Sequence, residues 1–209
     1  MKIIDELIKN NREWVEQTKS EDPHFFEGLA KEQHPDILWI GCSDSRVSSN
    51  VVTMKRPGEI FVHRNVANLV VNTDFNLLSV LQYAVEYLKV KCIIVCGHYN
   101  CGGVIAAYHG KQLGLIDNWL GHIKDVYYAN RKEVESYETE EERINRLCEI
   151  NVKQQVHNIC HTTIVQNAWK NGQELSVCGM IYDVSDGSLR DLKIVLDSTE
   201  SIPKLYVVE

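Results

Sequence analysis

Positive charge is in short supply. The 209 residues carry 22 Lys and Arg against 29 Asp and Glu, a formal net charge of −7. A general nucleic-acid binder needs a basic footprint to displace counterions from phosphates, and this chain has none. Long apolar runs are also missing: none approaches the ~20 residues that a membrane span requires. The first ten residues set Asp5 and Glu6 among the apolar ones, a pattern unlike a secretory signal. Proline is scarce, with four in the chain, and no Pro/Gly/Ser-rich linker divides it. Internal repeats and low-complexity segments are absent. No C-x-x-C pair occurs, which removes the usual thiol-redox motif.

What remains is ordinary globular composition, 44% hydrophobic and 24% charged, at a length suited to one domain over 1–209. Seven cysteines, an odd number without a secretory signal, argue against a disulfide framework and for a reducing, cytoplasmic setting. Cys92, Cys96 and Cys178 lie inside apolar runs, and Cys148 and Cys160 fall in a helical pattern, so all five read as small buried hydrophobes. Cys42 and Cys101 differ, because each stands where an apolar run gives way to polar or glycine-rich sequence.

Periodicity outlines the elements. Ile3, Ile4, Leu7 and Ile8 recur at helical spacing, and the pattern runs to about Glu32 as an N-terminal helical arm. The runs 37–40 and 92–96 read as buried strands, and 59–63, after the turn signal Pro57-Gly58, reads as another strand. Leu77, Leu81, Val85 and Leu88 give a helix beginning at Thr73 or Asp74 its apolar face. A short helix over 104–109, another around Trp119–Tyr127 and a long helical stretch over 139–170 follow, the last broken once and ended by Asn171-Gly172. Residues 175–182 form a fourth strand, and the turn 185–188 leads into a fifth at 189–195. Strands alternating with helices predict an α/β fold with a mainly parallel central sheet of about four strands plus an antiparallel edge strand, flanked by helices.

Two loops carry the chemistry. Gly41-Cys42-Ser43-Asp44-Ser45-Arg46 follows the first strand, and Gly97-His98-Tyr99-Asn100-Cys101-Gly102-Gly103 follows the third. Ligands of open parallel sheets bind beyond the C-terminal strand ends, where both loops belong. Two thiolates and one imidazole, Cys42, Cys101 and His98, suit zinc, and three protein ligands leave a fourth position open, as in catalytic sites. Asp44 and Arg46 stand two apart, so an arginine fork can hold the carboxylate ionised.

These residues bear a resemblance. C-S-D-S-R-V at 42–47, H-R-N-V-A-N at 63–68 and G-H-x-x-C-G-G at 97–103 resemble the β-class carbonic anhydrases, over about Gln33 to Gly187. The resemblance implies one zinc per chain on Cys42, His98 and Cys101, with an Asp44–Arg46 dyad. It implies reversible hydration of carbon dioxide to bicarbonate and a proton, by hydroxide that zinc makes available. It implies homodimers, at times dimers of dimers, with the 1–32 arm packed on a partner protomer. Gln33, Phe61, Tyr83 and the backbone of Gly102 correspond to the family's substrate pocket.

A subset of the family holds inhibitory bicarbonate on a Trp, an Arg and a Tyr, matched here by Trp39, Arg64 and Tyr182; in that subset Asp44 closes onto zinc as fourth ligand. One departure is Ser48, where family members commonly carry proline, so the segment behind Arg46 lacks that restraint. His63 and His109 lie near the motifs but read as structural. Two rival readings stay open. A zinc deaminase would need H-x-E or C-x-E with P-C-x-x-C, and neither occurs. A zinc-sensing module would hold the same ligands in a closed site.

Overall fold

A computed structural model describes residues 2–208. Its contacts divide the chain into two units, Met1–His34 and Pro35–Glu209. The first unit holds α1 (Lys2–Glu21) and α2 (Phe25–Lys31). The sequence pattern suggests one helix to Glu32; the break falls at Asp22-Pro23, where proline lacks an N–H and disfavours helical geometry in the residue before it. Asp22 then accepts a hydrogen bond from the His24 amide at 3.1 Å. No residue of α1 is buried, and its apolar stripe of Ile3, Ile4, Leu7 and Ile8 is exposed. Trp14 meets Phe26 edge-on with ring centroids 5.4 Å apart.

The second unit is built on a five-stranded sheet of β1 (Ile37–Cys42), β2 (Ile60–Asn65), β3 (Cys92–His98), β4 (Ser176–Tyr182) and β5 (Leu189–Leu196), in the order β2-β1-β3-β4-β5. β1 to β4 are parallel, and β5 runs antiparallel at the edge. This is the predicted α/β fold. Each of the first three strands continues two residues past its apolar run, because parallel pairing continues there: Cys42 pairs with Asn65, and His98 with Tyr182. The strand order also turns back at β1, with β2 on one side and β3 on the other. A crevice opens at such a reversal.

The connecting helices are α3 (Ser49–Val52), α4 (Phe75–Gln82), α5 (Gly102–His109), α6 (Ile116–Ala129), α7 (Arg131–Val134), α8 (Glu140–Cys160) and α9 (Thr163–Lys170). Asp74 caps α4 by accepting from the amides of Asn76 and Leu77. After Gln82 the helix widens by one residue per turn over Tyr83–Tyr87, and the Leu88 amide reaches the Tyr83 carbonyl at 3.0 Å. Single wide turns of this kind cluster at functional sites. The predicted break in 139–170 separates α8 from α9, and a capping box of Thr139 with Glu142 opens α8.

The main core lies on the sheet face that carries Leu38, Ile40, Val95, Val177 and Ile181, packed with Val152 and Val156 of α8. Gly97 and Gly179 make that packing possible. A Cβ on Gly97 would stand 2.6 Å from a Val152 methyl, and one on Gly179 3.0 Å from the other. α8 therefore lies directly on the backbone of β3 and β4. The opposite face carries a smaller cluster of Trp39, Ile94, Cys96 and Cys178, with Tyr182 partly buried against it.

Candidate metal centre

The register of β1 and β3 assembles the site. Gly41 pairs with Cys96, so Cys42 ends one strand beside the Gly97-His98 end of its neighbour. Asn100, at φ 56°, turns the chain after β3, and Cys101 then caps α5, its carbonyl accepting from the Ile105 amide at 2.9 Å. A cysteine at a helix N-terminus has its thiolate favoured by the helix dipole. Cys42, His98 and Cys101 are all buried, and their ligand atoms lie within 4.8 Å of one another. No other His/Cys/Asp/Glu triplet among the described residues is gathered so closely.

The donor set fits a tetrahedral cation. The two sulfurs stand 4.0 Å apart; Zn–S bonds of ~2.3 Å at tetrahedral angles require ~3.8 Å. His98 Nδ1 donates to the Tyr99 carbonyl at 2.9 Å, which leaves the Nε2 lone pair free. That Nε2 is buried without a hydrogen-bond partner. A buried polar atom left unpaired in a native fold calls for an explanation, and a metal ion supplies one.

The electrostatics agree. The hydrogen bond from the Cys101 thiol, with smaller contributions from His98 and backbone amides, pulls the Cys42 thiol down to about 4. The same contact, together with burial, pushes Cys101 well above its ordinary value. Burial opposes charge on His98, but the nearby Cys42 sulfur, with the Tyr99 carbonyl and Asp44, outweighs it and the net shift is upward. Negative charge concentrated in a buried place favours an added cation.

Asp44 and Arg46 form the rim. Arg46 donates through Nε to Oδ1 at 2.9 Å and through Nη2 to Oδ2 at 2.7 Å, while its backbone amide also reaches Oδ1. Those bonds hold the Asp44 carboxyl well below the usual carboxylate range. Asp44 Oδ2 lies 3.7 Å from His98 Nε2, so the carboxylate stands at the mouth of the donor set. Arg46 is tied in turn to the Asn100 carbonyl at 3.3 Å.

Arg64 is committed to backbone. It donates to the carbonyls of Cys42 at 2.9 Å, Asp44 at 2.6 Å and Val47 at 2.7 Å. This clamp stiffens the segment behind Arg46 that lacks the proline. Ser48 stands at φ −122°, outside the range of a proline ring. Trp39 and Tyr182 lie on the sheet face of the smaller cluster. The indole nitrogen of Trp39 lies against Gly41, where a Cβ would meet it at 2.5 Å, and Arg64 pairs with Gly41 in register.

Phe61 and Tyr83 come together with ring centroids 5.8 Å apart, and Tyr83 stacks on Tyr87 at 5.5 Å. Tyr83 is 45% exposed and so is not a core residue of this chain. Gly102 begins α5 with open space around its Cα. Gln33 is exposed and belongs to the N-terminal unit. His63 is buried, and desolvation lowers its pKa; His109 pairs with Glu140 at 3.5 Å.

Sequence reasoning misses three contributors that act through backbone: the Tyr99 carbonyl that sets the His98 tautomer, the Asn100 carbonyl that steadies Arg46, and the Ala67 amide, which donates to the Cys42 sulfur at 3.4 Å. Only the position of Ala67 inside H-R-N-V-A-N hints at its part.

The chain is similar to known proteins in sequence and in fold. A sequence profile described as carbonic anhydrase matches residues 37–189. The chain is 46% identical to a carbonic anhydrase of Emericella nidulans over 91% of its own length and 83% of the relative's. It is 34% identical to one of Saccharomyces cerevisiae, over 90% and 87%. Among solved structures, the β-carbonic anhydrase CafA of Aspergillus fumigatus superposes with a TM-score of 0.89 at 37% identity, covering 95% of this chain and 94% of that one. A tetrameric β-carbonic anhydrase of Sordaria macrospora gives 0.89 at 35% identity, covering 94% and 100%.

The geometry predicts that the purified wild-type chain retains close to stoichiometric zinc after dialysis, measured by atomic emission. Cys42→Ser and His98→Ala should each lose most of it while keeping the wild-type circular dichroism spectrum. Full retention by either variant would contradict the assignment.

Proposed function

The chain belongs to the β-class carbonic anhydrases, and from that membership we propose how its own residues carry out the reversible hydration of carbon dioxide to bicarbonate. The observation that carries the proposal is the convergence of Cys42, His98 and Cys101 on one unpartnered imidazole nitrogen, with the Asp44–Arg46 pair beside it. One zinc ion per chain suits that donor set; when bound, it supplies a Lewis acid that brings the pKa of water toward neutrality.

Asp44 is the orienting group. Arg46 keeps its carboxylate ionised, so it can only accept, and Oδ2 takes a hydrogen bond from the attacking oxygen so that a lone pair faces carbon dioxide. Phe61 and Tyr83 offer apolar surface for an apolar substrate, and the amide of Gly102, in the first turn of α5, offers a donor to a substrate oxygen. Gln33 joins the pocket, which a neighbouring protomer partly supplies. Asp44 also gates: turning from Arg46 toward the nearby ligand atoms would close the open position. The thiols of Cys42 and Cys101 must stay reduced to act, which fits a cytoplasmic setting.

A bicarbonate-regulated form of this activity has a specific observation in its favour. Arg64 holds the carbonyls of Asp44 and Val47. An anion that drew Arg64 toward the Trp39 indole and the Tyr182 hydroxyl would release the loop carrying Asp44 and Arg46. A homodimer, able to pair into a tetramer, is supported by apolar side chains left exposed near the pocket, Phe75, Tyr83 and Tyr87, and by the uncovered stripe of α1.

Stopped-flow hydration assays of the zinc-loaded protein should show kcat/KM rising toward alkaline pH, because two thiolates offset the metal's charge and temper the acidity of water. Asp44→Asn should lower it by about 100-fold at unchanged zinc content; full activity would remove Asp44 from the reaction. Added bicarbonate should depress wild-type activity more strongly at lower pH, and Tyr182→Phe should relieve that inhibition. Identical inhibition in both proteins would discard the regulatory site. Light scattering should give a mass of at least two chains, and a monomer would overturn the proposed assembly.

A further inference from the structure

Behind the metal centre, α8 presents a row of carboxamides to the segment 66–70. Asn151 donates to the Ala67 carbonyl at 3.1 Å. Gln155 donates to the Asn151 side-chain oxygen at 2.9 Å and accepts from the Val70 amide at 2.9 Å. Asn158 donates to the Val70 carbonyl at 2.9 Å and to the Gln155 oxygen at 3.1 Å. The spacing 151, 155, 158 places all three on one helical face. Asn151 and Gln155 are 1% and 2% exposed. Buried amides are kept only when they are well satisfied, and here their targets are backbone groups of one short segment and each other.

That segment is strained. Ala67 and Asn68 stand consecutively in the left-handed region, at φ 63° and 49°. Residues with a Cβ avoid this region, and two in succession persist only where the surroundings impose them. The product of the strain is an amide pointed at sulfur: the Ala67 N–H donates to Cys42 Sγ at 3.4 Å. Tight packing holds the same turn from the other side, where a Cβ on Gly103 would lie 3.2 Å from the Ala67 side chain. The Trp119 indole bonds the Val66 carbonyl at 2.8 Å.

We propose that Asn151 and Gln155 are positioning residues of the metal centre, holding Ala67 left-handed so that its N–H stays on the Cys42 sulfur. The proposal rests on the reading of Cys42 as a metal ligand. An N–H donor draws electron density from a thiolate and fixes its direction, so this amide tunes both how firmly the metal is held and how strongly it acts as a Lewis acid. Neither carboxamide touches substrate.

The test compares the wild-type chain with Asn151→Leu, Gln155→Glu and Gln166→Leu. Gln155→Glu keeps the side-chain shape and an acceptor for Val70, and replaces the donor to Asn151 with a buried carboxyl. Gln166 is an equally buried carboxamide of α9 that serves the Cys160 and Tyr206 carbonyls, so Gln166→Leu reports what a purely structural loss does. The readouts are zinc affinity by chelator competition, the thiolate-to-cobalt charge-transfer band of the Co(II) form, and thermal melting. Asn151→Leu and Gln155→Glu should weaken zinc binding by about 10- to 100-fold and move the band to lower energy, since a thiolate without its donor gives up electrons more easily. Gln166→Leu should lower the melting temperature and leave affinity and band at wild-type values. Wild-type affinity and band in a folded Asn151→Leu or Gln155→Glu protein would overturn the proposal, as would equal changes in Gln166→Leu. A wild-type protein without a thiolate band would instead overturn the metal-ligand reading, and the proposal with it.

Discussion

The parallel pairing of β1 with β3 carries the metal centre. Its register sets Gly41 beside Cys96, and from that pairing a cysteine at the end of one strand and a histidine at the end of the next arrive at the same edge. A slip of one residue would turn every side chain of β1 to the opposite face. Leu38 and Ile40 would leave the main core, and Cys42 would leave the site with them. The glycines of β3 and β4 add a second condition. They let α8 sit on bare backbone, close enough for its carboxamides to reach the turn behind Cys42.

Charge is arranged around this frame in layers. Sulfur concentrates negative charge inside, where burial makes it costly unless a cation joins it, and the Asp44 carboxylate adds to it at the rim. Arginines stand outside, each with a different task. Arg46 pairs with the carboxylate of Asp44, whereas Arg64 spends its donors on three carbonyls of the same loop. Both forks are anchored by several bonds, so the loop geometry is set by directional contacts rather than by charge attraction alone. A lysine in either place would supply the charge without the fork.

Much of this was legible in the sequence, for stated physical reasons. Strands buried on both faces read as continuous apolar runs, and that pattern located β1 and β3; the turn signal Pro57-Gly58 located the edge strand β2, and the alternation with helices implied the parallel sheet. It missed the last two residues of each of these strands, because pairing there continues through polar side chains that serve the site. Cys42, His98 and Cys101 stood out by residue type and Asp44 with Arg46 by their spacing, and the resemblance joined them as one site. Ala67 could not stand out: its contribution is a backbone amide in a left-handed turn, and alanine carries no signature of that conformation. Asn151 and Gln155 were hidden inside an amphipathic helix, where a polar residue ordinarily faces water. The wide turn over Tyr83–Tyr87 was equally invisible, since its apolar spacing imitates a regular helix over that length.

The bonds from α8 to the turn behind Cys42 join residues 84, 85 and 88 positions apart. Contacts so distant along the chain must overcome a large closure entropy and form late in folding. During synthesis, Cys42, His98 and Cys101 emerge well before the helix that shapes the ground beneath them. A nascent chain thus exposes two thiols and an imidazole before the helix whose carboxamides bond the turn behind Cys42 has been made.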